Sequence, residues 1–519
     1  MSNHSSFFLI KPIAYAAAIT ICLVAVPASA VEDAGAQGLL AKHRAFVGWQ
    51  LGDGTFSSMR LTGRTVNAKG ETTAAFSTVS EGLVYRTTFS QNRRAGLQRD
   101  EGFTGNIFWQ SNVNGFTTPA FGDPAKAALA EDLLFNEALS GLTGTLRGSA
   151  DVGGKATQIV RVTMKDDYPI DLYVDPDSGA FVQAVIDPDG SSTETIHVLG
   201  YTDASPGKKI IGSYRYGRGS TWTVEKTDAN VAVTDNDLHP PAPRATWAFS
   251  NPAPFGFKVS DTRFIVDAKV NGTPGRFIID TGADGIYLTR AFGVKAAVKT
   301  LTSESIGGIA GTAKGNILKL DSLEIGGNVL SNVVANSIPD SMDSDAPDGV
   351  IGFDLFGGAV VRLNASAQQL TISDPSAAQT DASAGIALNV DLSDGVPNVP
   401  MKMDGRIPVS AELDSGNFYY VLFGKELITR YGLAMLVDNS VVGMLQSHPD
   451  IGGVGGYEVE SCGHVDSLTL GPIVYQQPPA CESSSFSGRN ILVGYDFLRH
   501  FDYVFDYPHG HLIMIPHKE

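Results

Sequence analysis

Cysteine is nearly missing from this chain: three in 519 residues, at positions 22, 462 and 481. No four-ligand Cys/His spacing occurs, so a structural zinc site has no support. Cationic side chains are also in short supply, 38 Lys and Arg against 55 Asp and Glu, for a formal net charge of −17. That balance argues against nucleic acid or anionic lipid as a partner. After the first thirty residues no apolar run is long enough to cross a membrane. Gly-x-Ser-x-Gly and His-Glu-x-x-His are both absent, which leaves serine-hydrolase and zinc-protease chemistry without a basis. What the chain has in quantity is glycine, 57 residues, with charged residues held to 18%. This composition suggests a turn-rich β protein rather than a disordered one.

The one long apolar run lies at the start. Lys11 precedes Ile13 to Val26, and Pro27-Ala28-Ser29-Ala30 follows. A basic residue, a short apolar run and a small-x-small site read as a secretory signal, residues 1–30, cut after Ala30. The mature protein is then expected in the periplasm or outside the cell, with no membrane-spanning segment. Cys22 leaves with the leader. In an oxidising compartment Cys462 and Cys481 are expected to form a disulfide. They lie nine positions either side of Gly471-Pro472, so a hairpin turning there would set them roughly opposite. Pro in the second turn position leaves the register open. Such a bond would contribute about 3 kcal/mol.

The most informative stretch is Arg276 to Arg290, RFIIDTGADGIYLTR. Phe277, Ile278 and Ile279 run into Asp280-Thr281-Gly282-Ala283, and apolar residues resume at Ile286. An acid at the end of an apolar strand is half buried, which is costly without a partner or a function. Asp-Thr-Gly alone is also ordinary turn chemistry. A second copy strengthens it: Glu412-Leu413-Asp414-Ser415-Gly416-Asn417, followed by Phe418 to Leu422. Other pairs keep the same order. Val266–Gly272 matches Val399–Gly405, and Ile306–Gly311 matches Ile451–Gly456. Asp321–Gly326 matches Asp466–Gly471, Ile351–Leu355 matches Val493–Phe497, and Leu370–Ile372 matches Leu512–Met514. Ordered matches at a nearly constant offset imply a duplicated unit.

These motifs resemble those of the aspartic proteases, in particular the retropepsin-like branch, over about residues 256–519. The resemblance implies a bilobal β fold in which Asp280 and Asp414 form the catalytic dyad. Thr281 and Ser415 would hydrogen-bond across to the partner loop, and Gly282 and Gly416 would let the loops approach. Two flaps would close over an extended substrate, one around Gly307, Gly308 and Ile309, the other around Gly452, Gly453 and Val454. Two acids in a low-dielectric cleft share one proton, and such a pair can activate water against a peptide carbonyl. No metal or organic cofactor is implied. The expected partner is a peptide or protein substrate, and the expected state is a monomer whose lobes form an intramolecular pseudo-dimer. Two residues depart from the family pattern. Asn417 stands where a small residue is usual, and Glu412 replaces the apolar Ile278.

Residues 31–245 read differently. Short β-patterned runs alternate with turns such as Asp177-Ser178-Gly179 and Asp189-Gly190, which predicts an antiparallel sheet of eight to ten strands. A helix is expected at Ala34–Val47, and another from an Asp123 N-cap to about Ser140. The early helix, Gly102-Phe103-Thr104-Gly105-Asn106-Ile107-Phe108-Trp109 and the Asn236–Pro241 close are loosely similar to the half-barrel of outer-membrane lipoprotein carriers. That resemblance implies a concave face for an acyl chain or extended peptide. A Pro-rich linker is expected at 246–255, a first lobe at 256–376, a bridge at 377–383 and a second lobe at 384–519. The alternatives to an exported endopeptidase are a non-catalytic bilobal peptide or glycan binder, a lipid- or lipoprotein-handling protein acting through residues 31–245, and an enzyme in which two chains meet through their first lobes. His500, His509, His511 and His517 read as a surface set, and Asp175-Pro176-Asp177 and Asp187-Pro188-Asp189 as hairpin turns.

Overall fold

The structure is a computed structural model. It describes residues 33–519 except 92–95, 190–192, 218, 261–262, 309–310, 341–345, 379, 382, 384, 394, 418–420, 425–426, 428, 430, 432–451, 454–455, 458–460, 484–489 and 518–519. The expected leader and its cleavage site lie outside the described residues. The chain is mainly β.

The N-terminal region forms one curled, half-barrel sheet of thirteen antiparallel strands. They are β1 (Ser58–Val66), β2 (Thr72–Glu81), β3 (Val84–Gln91), β4 (Leu97–Phe103), β5 (Phe108–Ser111), β6 (Thr117–Ala120), β7 (Gly144–Val152), β8 (Lys155–Thr163), β9 (Pro169–Val174), β10 (Phe181–Ile186), β11 (Glu194–Ser205), β12 (Lys208–Tyr216) and β13 (Thr221–Ala229). Their spatial order is β6-β5-β4-β3-β2-β1-β13-β12-β11-β10-β9-β8-β7, two meanders joined where β1 pairs with β13. The sequence suggested eight to ten strands. It hid β4, β6, β7 and β13, which carry polar or charged residues on both faces and so lack the apolar alternation of a half-buried strand.

Helix α1 (Ala34–Val47) forms as expected, because the Asp33 carboxylate accepts from the Gly35 and Ala36 N–H groups and Gly48, at φ 79°, ends it. Helix α2 (Gly122–Phe135) departs from expectation: Phe121 holds the cap position and Asp123 lies inside the first turn. It stops at Phe135 rather than near Ser140. The Asn136 side chain donates to the Asp132 carbonyl at 2.9 Å, and Glu137 turns into the left-handed region at φ 57°. Together α1 and α2 cover an apolar core that includes Leu40, Leu134, Val160, Ile170, Phe181 and Ile196.

The Pro-rich stretch does not run free. Thr246–Ala248 pairs with Asn328–Ile338, and Phe255–Gly256 pairs with Gln369–Ser373. The partly buried Trp247 and Phe255 pack against the core beneath, which ties the stretch to the lobe.

Most of the remaining strands form two similar sheets. In the first, the central order is Ile286–Thr289, Gly349–Ile351, Thr273–Ile279, Arg263–Val270; in the second it is Val421–Phe423, Asn490–Val493, Ile407–Leu413, Asn398–Met403. In each, the strand that leads to the acid runs parallel to one neighbour, Ile278 opposite Val350 and Glu412 opposite Leu492. The hairpin before each acid turns on a left-handed pair, Asn271-Gly272 at φ 48° and 79° and Asp404-Gly405 at 50° and 65°. The first loop has two residues, with Val270 opposite Thr273, and the second has three, with Met403 opposite Ile407; Asn, Asp and Gly tolerate the left-handed region best, which explains why the repeat keeps Asn-Gly and Asp-Gly there. A six-stranded sheet built from both lobes joins the halves, running from Phe255–Gly256 at one edge to Ile386–Asn389 at the other. One apolar core serves both lobes and takes in Phe116 and Ala245 from the N-terminal region.

The strands Ser467–Leu470 and Ile473–Gln476 pair about Gly471-Pro472, with Gly471 at φ 55° taking the position proline cannot. The same register continues outward, so that Cys462 faces Cys481 across Ser461–His464 and Pro479–Glu482.

Candidate active site

Each acid leaves its strand at the same point. The Asp280 N–H donates to the Ile351 carbonyl at 3.1 Å, and the Asp414 N–H donates to the Val493 carbonyl at 3.0 Å. Immediately afterwards the two loops lock. Thr281 Oγ1 donates to the Leu413 carbonyl at 2.6 Å, and Ser415 Oγ donates to the Ile279 carbonyl at 3.1 Å. The Thr281 N–H donates to Ser415 Oγ at 3.0 Å, and the Ser415 N–H to Thr281 Oγ1 at 3.0 Å. These four bonds are buried, and each hydroxyl both donates and accepts. Alanine at either position would orphan a carbonyl and an N–H together. Thr281, Leu413 and Ser415 border a small apolar cavity whose other walls include Phe264, Leu363, Tyr503 and Phe505.

The lock brings the carboxyls together. Each carboxyl lies against the partner loop's glycine, close enough for the two acids to shift each other's titration. A Cβ on Gly282 would come within 2.4 Å of Asp414 Cγ, and one on Gly416 within 2.3 Å of Asp280 Oδ2. Glycine is therefore required at both positions by close approach, not by backbone angle. The Gly282 N–H donates to Asp280 Oδ1 at 2.9 Å, and the Gly416 N–H to Asp414 Oδ1 at 2.7 Å.

Burial pushes both carboxyls above the ordinary carboxylate range. For Asp280 the Asp414 carboxyl and the Gly282 and Gly416 N–H groups counter that push. For Asp414 the Asp280 and Glu412 charges add to it, and the two carboxyls titrate as a pair that shares a proton. Glu412 itself sits on the half-exposed face of its strand, the face that Ile278 takes in the first lobe, so the substitution buries no charge. Asn417 occupies the place of Ala283. Its carbonyl accepts from the Tyr495 N–H at 2.8 Å, as the Ala283 carbonyl accepts from Phe353 at 2.9 Å. Its amide lies within van der Waals reach of Gly494.

Of the expected flap residues, Gly307 pairs with Thr312 and Gly308 with Gly311 at the end of one long hairpin, and Gly452 and Gly453 pair with Tyr457 and Gly456 in another. Ile309 and Val454 lie outside the described residues. The C-terminal histidines are dispersed: His509 Nδ1 lies 2.6 Å from Asp506, His517 Nε2 lies 2.8 Å from Asp502, and His511 stacks on Phe121. Among the described residues no group of three or more His, Cys, Asp or Glu could hold a metal ion, and no helix is long and apolar enough to cross a membrane. The Asp175 carboxylate accepts from the Asp177 N–H at 2.9 Å, which is turn chemistry.

Sequence reasoning missed one neighbour of the site. Asp354, only 1% exposed, follows the Gly352 that crosses under the Asp280 loop. It accepts from Asn112 Nδ2 at 2.6 Å and from Asn114 Nδ2 at 2.8 Å, both from the N-terminal sheet's β5–β6 turn. Burial pushes it up to about 7. Asn114 also bridges Val334, giving to its carbonyl at 2.9 Å and accepting from its N–H at 2.7 Å. Nearby, Gln110 Nε2 donates to the Leu392 carbonyl at 2.8 Å. The available signal was an acid inside an otherwise apolar Ile-Gly-Phe-Asp-Leu-Phe segment, repeated at Asp496.

The family model described as Aspartyl protease matches residues 266–355, a span that holds Asp280 and Asp354 and ends before Asp414. No curated relative matches the chain. Among solved structures, a DUF1329 family protein from Desulfovibrio piger is similar at 14% identity and a TM-score of 0.29, covering 39% of this chain and 95% of that one. A domain from Vibrio parahaemolyticus assigned to outer membrane lipoprotein sorting is similar at 11% identity and a TM-score of 0.28, over 39% of this chain and 95% of that one.

Proposed function

We propose that this chain is an exported aspartic endopeptidase that hydrolyses peptide bonds through Asp280 and Asp414. The observation that supports the reading is the reciprocal Thr281–Ser415 lock, which draws the Asp280 and Asp414 loops together within one chain. Asp280, the member eased toward ionisation by the N–H groups around it, takes a proton from a water between the carboxyls. The resulting hydroxide adds to the peptide carbonyl carbon while Asp414, holding the shared proton, gives it to the carbonyl oxygen. Collapse of the tetrahedral intermediate returns a proton to the leaving amine and frees both products. The hairpin ends at Gly307–Gly308 and Gly452–Gly453 act as flaps that exclude bulk water from the closed site. No step needs a second chain, so the lobes act as an intramolecular pseudo-dimer. The proposed organisation keeps a leader at 1–30, the β region at 31–245 and the two lobes at 256–376 and 384–519. The opposed register of Cys462 and Cys481 supports a disulfide between them after export.

The test is cleavage of unfolded casein by the purified mature chain between pH 3 and 7, with a pepstatin-like hydroxyl compound as competitor. Cleavage that the compound blocks and that either Asp→Asn variant loses supports the reading. Wild-type protein that cleaves nothing across this range rejects it in favour of a bilobal binder.

A further inference from the structure

The concave face of the N-terminal sheet is divided. Over β8–β12 it is apolar and covered by α1 and α2. Over β2–β4, β12 and β13 it carries rings and carboxyls instead. We propose that this second part binds an alkylammonium group, held between a cage of aromatic rings and a set of carboxylates.

The rings come first. Trp222 on β13 stacks on Tyr214 at 5.6 Å, with Phe89 edge-on at 5.4 Å and Phe76 tilted at 5.4 Å. Tyr216 stands edge-on to both Tyr214 and Trp222. Trp222, Tyr214 and Tyr216 are half-buried, so the ring cluster keeps part of its surface in reach of a ligand. Aromatic faces set at these angles are the usual partners of organic cations. The fold already places one there: the Arg99 guanidinium lies 4.9 Å over the Phe89 ring.

The carboxyls come from two elements that face each other across the curl. Glu131 and Asp132 lie on α2 and Glu101 on β4. Glu131 accepts from the Tyr216 hydroxyl at 2.6 Å. Asp132 is 7% exposed; its Oδ1 takes the Asn136 amide at 2.9 Å, while its Oδ2 is buried with no hydrogen-bond partner. Burial first, and then the charges of Asp132, Glu101 and Glu131, hold the Tyr85 hydroxyl protonated, which puts the three carboxyls near one tyrosine of this face. Glu101 also acts on Tyr214, although four strands separate β4 from β12. On a flat sheet they would be roughly 24 Å apart, so the curl closes them onto one volume. Burial pushes Asp132 up to about 8 and raises Glu101 and Glu131 as well, with the Arg99 charge countering the push on Glu101.

An acyl chain is a poor occupant of this part of the face. It would strip water from several carboxyls and return no hydrogen bond. A primary ammonium brings three donors and a positive charge to the unpartnered Asp132 oxygen and to Glu101, and lays its methylenes against Trp222. Two sources share this chemistry, a free alkylamine and a lysine side chain on a peptide. The proposal stands whether or not the lobes cleave peptides.

The experiment is calorimetric titration of the mature chain with cadaverine, and separately with an end-blocked Ala-Lys-Ala peptide. 1-Pentanol and the acetyl-lysine peptide are the neutral controls. Saturable binding of at least one amine, about tenfold or more tighter than its control, is the expected result. Binding of both makes the ammonium alone sufficient; binding of the peptide alone assigns the lysine source. Glu101→Gln and Glu131→Gln, on separate elements, should each weaken binding about tenfold, with Trp222→Leu also losing affinity. The proposal is overturned if neither amine binds at about 1 mM, if controls bind as well as amines, or if laurate binds and Glu101→Gln tightens it. The control comparison needs no variant, so it decides even if a substituted chain does not fold.

Discussion

The two lobes share a strand order, a turn chemistry and an acid at the same point of the strand, yet they satisfy the acid behind the loop in opposite ways. In the second lobe Asp496 is answered locally, by the Tyr475 hydroxyl and by Arg499 at 3.0 Å, with its side chain 24% exposed. In the first lobe Asp354 is 1% exposed and its side-chain donors come from about 240 residues earlier, Asn112 and Asn114. The same sequence position is therefore a surface ion pair in one copy and an interregional latch in the other. Duplication preserved the backbone path, and the partners were settled by what packs alongside. The asymmetry also makes the N-terminal sheet part of the first lobe's support, since Asp354 follows directly on Gly352 and Phe353, whose N–H groups donate to the Gly285 and Ala283 carbonyls of the Asp280 loop.

The largest effect should fall where the lobes are alike. Asp280→Asn and Asp414→Asn should each lower kcat by roughly 10³-fold or more, because the shared proton needs two carboxyls. Circular dichroism should show both variants folded. Loss in only one of them would break the equivalence of the lobes and point to catalysis between chains.

Next comes the latch. Asn114→Ala leaves Val334 and Asp354 short of buried partners and should cost on the order of 2–4 kcal/mol in chemical denaturation. Asp496→Ala should cost only about 1 kcal/mol or less. Equal costs would mean that the contrast between the acids has no energetic weight.

The latch also predicts a pH dependence. Asp354 is raised from 3.8 to about 7 in the folded chain. Between those values the folded state binds its proton more tightly than the unfolded state does. Its contribution is then fully present below about pH 4 and is lost as pH rises through about 7. Asp354→Asn should flatten that part of the stability profile; an unchanged slope would reject the assignment to Asp354.

The smallest effect is expected at Asn417. Asn417→Ala copies the first lobe, and since its carbonyl bond to Tyr495 is backbone it should alter kcat less than about threefold and stability by about 1 kcal/mol. A large loss would make Asn417 a functional difference between the lobes.

The repeat made much of the bilobal half legible. Two strands ending in Asp, two Asn-Gly or Asp-Gly turns and two crossing Gly segments are local patterns, and local patterns survive in a single sequence. The facing of Cys462 and Cys481 was legible too, from symmetry about Gly471, although the proline obscured the turn. What could not be read was anything held by distant partners. Asn112 and Asn114 look like turn residues until Asp354 is beside them. Strand β4, Leu-Gln-Arg-Asp-Glu-Gly-Phe, reads as polar loop. Its Asp100 meets Arg86 at 2.8 Å and Arg244 at 2.6 Å on one face, while Glu101 looks into the concavity on the other. Helix α2 ran short of its expected end because Asn136 turns back on Asp132, a competition that periodicity alone does not weigh.

The reciprocal lock has a consequence for the birth of the protein. Thr281 and Ser415 complete one another across 134 residues, so a chain with one lobe folded has no finished acid loop at all. The sheet that unites the halves takes one edge strand at Phe255–Gly256 and an inner strand at His511–Pro516, which postpones closure until nearly the whole bilobal half is available. Contacts this remote in sequence form slowly. For an enzyme of the proposed kind, the delay is protective. A chain still threading out of a ribosome or across a membrane carries a single unpaired acid and cannot attack its unfolded neighbours, and competence arrives in one step when the last strands dock.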